Sequence, residues 1–151
     1  MAACGSREQV VQQPVGCREG LERITAEPER ADVRVGDAWL IGLRRVPRLP
    51  WREYWIPREG VAFFKTGIVV PAGGTLRLEV PPEARGLLAL AYNPGAEAKQ
   101  TTTMSACFGY YDVVFFPGGL EVRRPLCRVP LDWEYGSERG RLHLTFGGAC
   151  D

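Results

Sequence analysis

A chain of 151 residues, 45% hydrophobic and 25% charged, has the length and composition of one globular domain, and this excludes wholesale disorder. Its formal net charge of +1 gives no electrostatic case for nucleic acid, because neutralising phosphates needs a clear basic excess. No apolar run reaches the roughly 18 residues that cross a bilayer as a helix; the stretch GLLALAYNPGA (86–96) is too short and holds turn residues.

Residues 1–16 are polar and without a strong period, and they read as a flexible tether. Within them M-A-A-C-G-S resembles the end of a bacterial lipobox, in which two small residues precede the cysteine that becomes the lipidated N-terminus. That pattern usually carries Leu three residues before the cysteine; here Met1 stands there, and neither a basic nor an apolar signal region precedes Cys4. A trimmed signal peptide or a misplaced start codon would account for both. The resemblance implies a lipid on Cys4 as the only membrane contact, with GSREQVVQQP (5–14) as spacer.

Residues 17–151 read as one β domain. CREGLERITAEPERA (17–31) has some helical character, with Leu21 and Ile24 on one side and Pro28 ending it. Strands are expected in AWLIGL (38–43), VAFFKTGIVV (61–70), TLRLEV (75–80), LLALAY (87–92), TTTMSACF (101–108), DVVFF (112–116), VPLDWEY (129–135) and RLHLTFG (141–147). Leu76, Leu78 and Val80 alternate with Arg77 and Glu79, the period-2 signature of a half-buried strand. PAGG (71–74), PPEARG (81–86), NPG (93–95), PGG (117–119) and GSERG (136–140) supply turns, with Gly74 and Gly119 at hairpin tips. About eight or nine short strands at this spacing predict an all-β, antiparallel β-sandwich, Ig-like or jelly-roll-like.

Of five cysteines, Cys4 is assigned to lipid, leaving Cys17, Cys107, Cys127 and Cys150. Their wide, even-numbered spacing predicts two disulfides and an oxidising compartment. Three pairings are possible. The favoured one joins Cys17 to Cys150 at the chain ends and Cys107 to Cys127 across a hairpin, adding roughly 5 and 3 kcal/mol in the chain-entropy model.

VPAGGTLRLEVPPEARGLLALAYN, followed by SAC, FFPGGLEV, PLC and a terminal FGGAC, resembles uncharacterised secreted or lipid-anchored proteins of high-GC actinobacteria. The resemblance spans roughly residues 67–150. It implies a disulfide-bonded β domain outside the cytoplasm and no assigned activity.

No catalytic or cofactor set assembles from the sequence. His143, the single histidine, lies between Leu142 and Leu144 and is expected to face solvent with Arg141 and Thr145. It has no G-x-S-x-G elbow to serve. Asp132 and Glu134 have a spacing that a glycosidase could use, yet alternate positions opposite Leu131 and Trp133 are polar merely because they face water. Met104, Cys107 and His143 could suit copper, but Cys107 is better used in a disulfide. No metal ligand set, nucleotide loop or cofactor is therefore expected.

LRRVPRLPWREYWIPREG (43–60) is the least ordinary segment, with five arginines against two glutamates. Trp51, Tyr54 and Trp55 are interleaved with Arg48, Arg52 and Arg58, and Pro47, Pro50 and Pro57 oppose a regular helix. Exposed rings stack on sugars and arginine forks bind anions, so this loop is the candidate ligand site, with Tyr110 and Tyr111 as further rings. The competing expectation, which is preferred, is that Trp51 and Trp55 fold back as satellite core while the arginines reach outward. The expected function is a non-catalytic extracytoplasmic domain with a structural or protein-interaction role at the cell envelope. The alternative is a glycan- or anionic-ligand-binding module.

Overall fold

A computed structural model describes residues 27–92, 98–106 and 112–150. The expectations placed on Cys4, Cys17, Cys107, Tyr110, Tyr111 and the 1–16 tether lie outside these residues, as does most of the 17–31 segment. Its described part, Glu27–Ala31, is not helical.

Among the described residues the chain forms β1 (Val33–Val35), β2 (Ala38–Leu40), β3 (Trp55–Ile56), β4 (Val61–Lys65), β5 (Ile68–Pro71), β6 (Thr75–Glu79), β7 (Leu88–Ala91), β8 (Thr101–Ser105), β9 (Val113–Phe116), β10 (Gly119–Val122), β11 (Leu126–Tyr135) and β12 (Glu138–Phe146). All pairings are antiparallel. Three four-stranded sheets result, ordered β1-β2-β5-β9, β3-β4-β10-β7 and β12-β11-β6-β8.

The all-β, antiparallel class is as expected, but the strand count and the number of sheets are not. VAFFKTGIVV is two strands in two sheets, because the chain turns at Thr66 and Gly67. At Gly67 a side chain would collide with the ring of Phe115. Gly119 is not a hairpin tip but the first residue of β10, paired with Lys65 on one side and Ala91 on the other. The very short strands β1 and β3 give too few alternations for period 2 to register.

The turn at Thr66 has a companion. β4 runs into β5 there, leaving the second sheet for the first, while β9 runs into β10 through Pro117 and Gly118 in the opposite sense. The Thr66 amide donates to the Gly118 carbonyl at 3.1 Å. Beneath this double corner lies Tyr92, only 2% exposed. Its hydroxyl donates to the Thr66 carbonyl at 2.9 Å and lies 3.0 Å from the Thr66 hydroxyl. Burial pushes the Tyr92 phenol well above its ordinary range, so it remains a neutral donor. Gly118, with φ 145°, is required here: a Cβ would strike the Ala91 carbonyl and Tyr92.

One continuous core joins the three sheets, including Leu40, Ile68 and Phe116 from the first, Phe64, Leu90 and Leu120 from the second, and Leu78, Leu131 and Phe146 from the third. Phe64 and Phe146 meet at 5.2 Å, a direct contact between sheets two and three.

The cysteine pairing corrects the expectation. Cys127 bonds to Cys150, with Cα atoms 4.9 Å apart. This replaces both Cys17–Cys150 and Cys107–Cys127. The cause is the β11–β12 hairpin, which pairs Leu126 with Phe146 and so carries the end of β12 back beside Cys127. A bulge between Leu126 and Val129, with Arg128 at φ 53°, sets the local geometry of the cysteine strand.

Tyr92→Phe removes the hydroxyl beneath the double corner and leaves the Thr66 carbonyl without that donor. Denaturant unfolding is expected to show a loss of about 1–2 kcal/mol. A loss within about 0.5 kcal/mol, the range of ordinary surface changes, would mean that the corner does not depend on this bond.

Candidate functional site

The segment that the sequence singles out starts from a buried aspartate. Asp32 is 9% exposed, and its carboxylate accepts the Gly42 amide and the Glu29 amide, each at 2.7 Å. The Arg44 amide donates to Ala31 and its Nε to the Asp32 carbonyl. These bonds fasten residues 29–32 to the beginning of a 3₁₀ helix, Leu43–Arg48, which buries Leu43 and Val46 and packs beside β12. Pro47 sits inside it, and Pro50 precedes one helical turn, α1 (Trp51–Tyr54). The prolines thus limit regular helix to single turns without abolishing it.

This turn aims its rings at the body. Trp51, Tyr54 and Trp55 are half-buried against the core. Tyr54 stacks on Phe64 at 5.1 Å with planes 20° apart, and Trp51 lies 5.9 Å from both Phe64 and Trp55. Phe64 is fully buried. The two indoles are tilted by 32°, so they do not form one flat platform. Arg48, Arg52 and Arg58 are exposed and make no ion pair among the described residues.

A third wall of this aromatic cluster was not apparent from the sequence. After β12 the chain turns through Gly147 and Gly148, at φ 68° and 67°. A Cβ on Gly147 would lie 3.2 Å from the Trp51 ring and 3.1 Å from Pro125. The 147–150 turn therefore closes on Trp51 and is held there by the exposed Cys127–Cys150 disulfide. The only sequence signal was the diglycine before the last cysteine.

The outer face of the third sheet is the second candidate. Leu76, Leu78 and Leu131 point inward and are fully buried. The alternate residues line up across the strands as Arg139, Glu134, Arg77, Thr103 and as Arg141, Asp132, Glu79, Thr101. The six charged residues among them border a shallow concavity of about 400 Å³. Asp132 and Glu79 are like-charged neighbours, which cross-strand geometry penalises. Arginines relieve the conflict. Arg141 forks onto both oxygens of Asp132 at 2.6 and 3.1 Å and reaches Glu83 at 2.8 Å. Arg77 lies 3.3 Å from Glu79 and 3.9 Å from Glu134, and Arg85 is 3.9 Å from Glu79. The bond to Asp132, and then that to Glu83, holds the Arg141 guanidinium even higher than its usual range. Asp132 and Glu134 are thus occupied by fixed cations, an arrangement suited to ion pairing rather than proton transfer.

His143 is exposed opposite Pro130, as expected, beside a smaller depression between β12 and the 3₁₀ helix. Glu121, on β10, lines a cleft with Gln100 and Arg123. Burial raises its pKa, the nearby Glu59 raises it further, and Arg123 opposes them. The Gln100 Oε1 in the same cleft is buried without a hydrogen-bond partner among the described residues. Among those residues no three His, Cys, Asp or Glu side chains converge as a metal set, and no helix is long and apolar enough to cross a membrane.

No protein-family model, curated protein or solved structure matches the chain.

Two outcomes test this geometry. Trp51→Ala is expected to cost about 2–4 kcal/mol in denaturant unfolding, below or within the range of buried aromatic truncations. Arg52→Ala, on the same turn, should stay within about 0.5 kcal/mol. Equal midpoints for the two variants would show that the indole is not packed.

For Glu121 the folded-state pKa is above its ordinary value, so the native protein prefers the protonated form. Its ionisation lowers stability as pH rises through the window from the ordinary glutamate value up to the raised one. Glu121→Gln is therefore expected to raise the melting temperature at pH 7 and to leave it unchanged below about pH 4. A variant less stable than the parent at pH 7 would reverse the assignment.

Proposed function

We propose that the chain is a non-catalytic domain with a structural or protein-interaction role at the cell envelope, held outside the cytoplasm and anchored through a lipid on Cys4. The observation that carries this reading is the Cys127–Cys150 disulfide. Both cysteines are exposed, so a reducing cytosol would have direct access to the bond. An oxidising exterior preserves it.

The non-catalytic part of the proposal is supported by how the polar residues are used. Asp132 serves Arg141, and Asp32 serves two backbone amides. His143 stands opposite Pro130 and has no side-chain hydrogen bond or ion pair among the described residues. A second reading, binding of a glycan or anionic ligand by the 43–60 segment, is favoured by one observation. Arg48, Arg52 and Arg58 are exposed without an ion pair among the described residues.

The test uses protein recovered from its native compartment. Non-reducing peptide mapping is expected to give one peptide linking Cys127 to Cys150. Metabolic labelling with a fatty acid should mark the protein, and Cys4→Ser should abolish the label and release the protein from the membrane fraction. Free thiols at Cys127 and Cys150 would overturn the location, and an unlabelled parent protein would overturn the anchor.

A further inference from the structure

We infer that the surface around Arg48, Trp51, Arg52, Arg124 and Arg128 is the face that this domain lays against an anionic lipid bilayer. The inference rests on the envelope reading above and goes beyond it, because it assigns membrane contact to the folded body in addition to a lipid on Cys4.

Charge is the first support. Around the outer face of the third sheet Arg77, Arg85 and Arg141 each have a carboxylate within 4 Å, whereas Arg139 has none among the described residues. Arg48, Arg52, Arg124 and Arg128 are all exposed, and none has such a partner among the described residues. Unsatisfied guanidinium groups that share a surface suit phosphate, which they bind through paired N–H donors. Glu53 is the acidic residue within the same helical turn.

Proximity is the second support. Gly147 packs against both Trp51 and Pro125, so the neighbours of those residues, Arg52 and Arg124, belong to one end of the molecule. Arg128 joins them through the bulge: its amide donates to the Thr145 hydroxyl, and the adjacent Cys127 holds Cys150. Trp51 and Trp55 remain half-exposed, with Arg48 and Arg52 beside them in the chain. Half-buried indoles flanked by arginines are the composition of a membrane–water interface, where the ring meets the acyl boundary and the cation meets the headgroup.

The third support is where the N-terminal segment joins the body. Residues 29–32 are bonded to Arg44 and lie within 3.9 Å of Arg45, at the start of the same 3₁₀ helix that ends in Arg48. The chain that carries Cys4 therefore joins the described body at the end that bears this patch. Anchor and patch then act as two signals, of which a single acyl chain alone gives only marginal binding.

The experiment uses the full, oxidised chain carrying Cys4→Ser, so that no lipid contributes. It is sedimented with vesicles of phosphatidylcholine alone or mixed with phosphatidylglycerol. Binding is expected only to the mixed vesicles and should fall steeply as salt is raised. Arg52→Glu with Arg124→Glu should weaken it by about 25-fold or more, since each arginine near an anionic surface contributes about fivefold. Lys99→Glu with Arg139→Glu makes the same change in net charge away from this patch and should cost less than about fivefold. Melting temperatures of all variants confirm that the fold is retained; Arg52→Gln with Arg124→Gln serves if a reversal unfolds the protein. Absence of binding to the mixed vesicles, or equal losses from the two charge pairs, overturns the assignment. Fatty-acid labelling of Cys4 is read separately. Labelled protein without vesicle binding leaves the envelope reading standing and removes this one. Vesicle binding by a protein never labelled at Cys4 does the reverse for the anchor.

Discussion

Two pairs of consecutive strands change sheets at one place, and the hydroxyl of Tyr92 sits under both. β4 leaves the second sheet as β5, and β9 enters it as β10. Changing sheets interrupts the backbone ladder, so amides and carbonyls at the corner need other partners away from water. The Thr66 amide donates to the Gly118 carbonyl, and Tyr92 satisfies the Thr66 carbonyl. If this corner opened, β5 and β10 would lose their position at once, and with them Ile68, Val70, Leu120 and Val122, all fully buried. The aromatic cluster depends on the same place, because Phe64 on β4 is the ring on which Tyr54 and Trp51 rest.

The legible parts of the fold were those with several alternations. TLRLEV and RLHLTFG became β6 and β12, with the inward residues the pattern assigns to them. What the pattern could not convey is a strand run that bends into another sheet. VAFF and IVV are each apolar because both halves are largely buried, and such burial removes the period that would show them to be separate strands. The disulfide was misassigned for a related reason. Proximity of Cys127 and Cys150 follows from the register of β11 on β12, whereas sequence separation alone favours no such partner. For the candidate site, the residue types of the 43–60 segment were legible and so was the packing of its tryptophans. The Gly147 turn was not, since a close approach of glycine to a ring is a property of the folded chain.

Arginine does two jobs in this molecule, and the sheet decides which. On the flat outer face of the third sheet, cross-strand pairing brings Asp132 beside Glu79. That arrangement requires cations, and Arg141 and Arg77 are held in it. Individually such exposed pairs contribute little, but they fix a charge pattern that would otherwise repel itself. At the other surface the arginines alternate with prolines and tryptophans in single helical turns, where no ladder places a carboxylate opposite. Among the described residues Arg48, Arg52 and Arg58 have no ion pair there, although Arg45 lies 3.9 Å from Glu29. Net charge near neutrality therefore conceals two surfaces of different character, one whose Arg77, Arg85 and Arg141 are paired and one whose Arg48, Arg52 and Arg58 are not, among the described residues.

The disulfide connects these features. β12 ends at Phe146, and past it no ladder holds the chain. The double glycine turn that follows has left-handed backbone at both positions, a conformation glycine adopts without steric cost but also leaves easily. A turn of that kind would spend much of its time away from Trp51 unless something restrained it. The bond from Cys150 to Cys127 spans a sequence separation of 23 and returns the turn to the strand from which the hairpin began. Trp51 is then packed on one side by Phe64 and bordered on another by Gly147. Its indole is thus fixed in a half-exposed state, which neither a buried core residue nor a free surface residue would keep. Any partner that recognises this end of the domain meets a ring already ordered before contact, so less side-chain freedom is lost on binding.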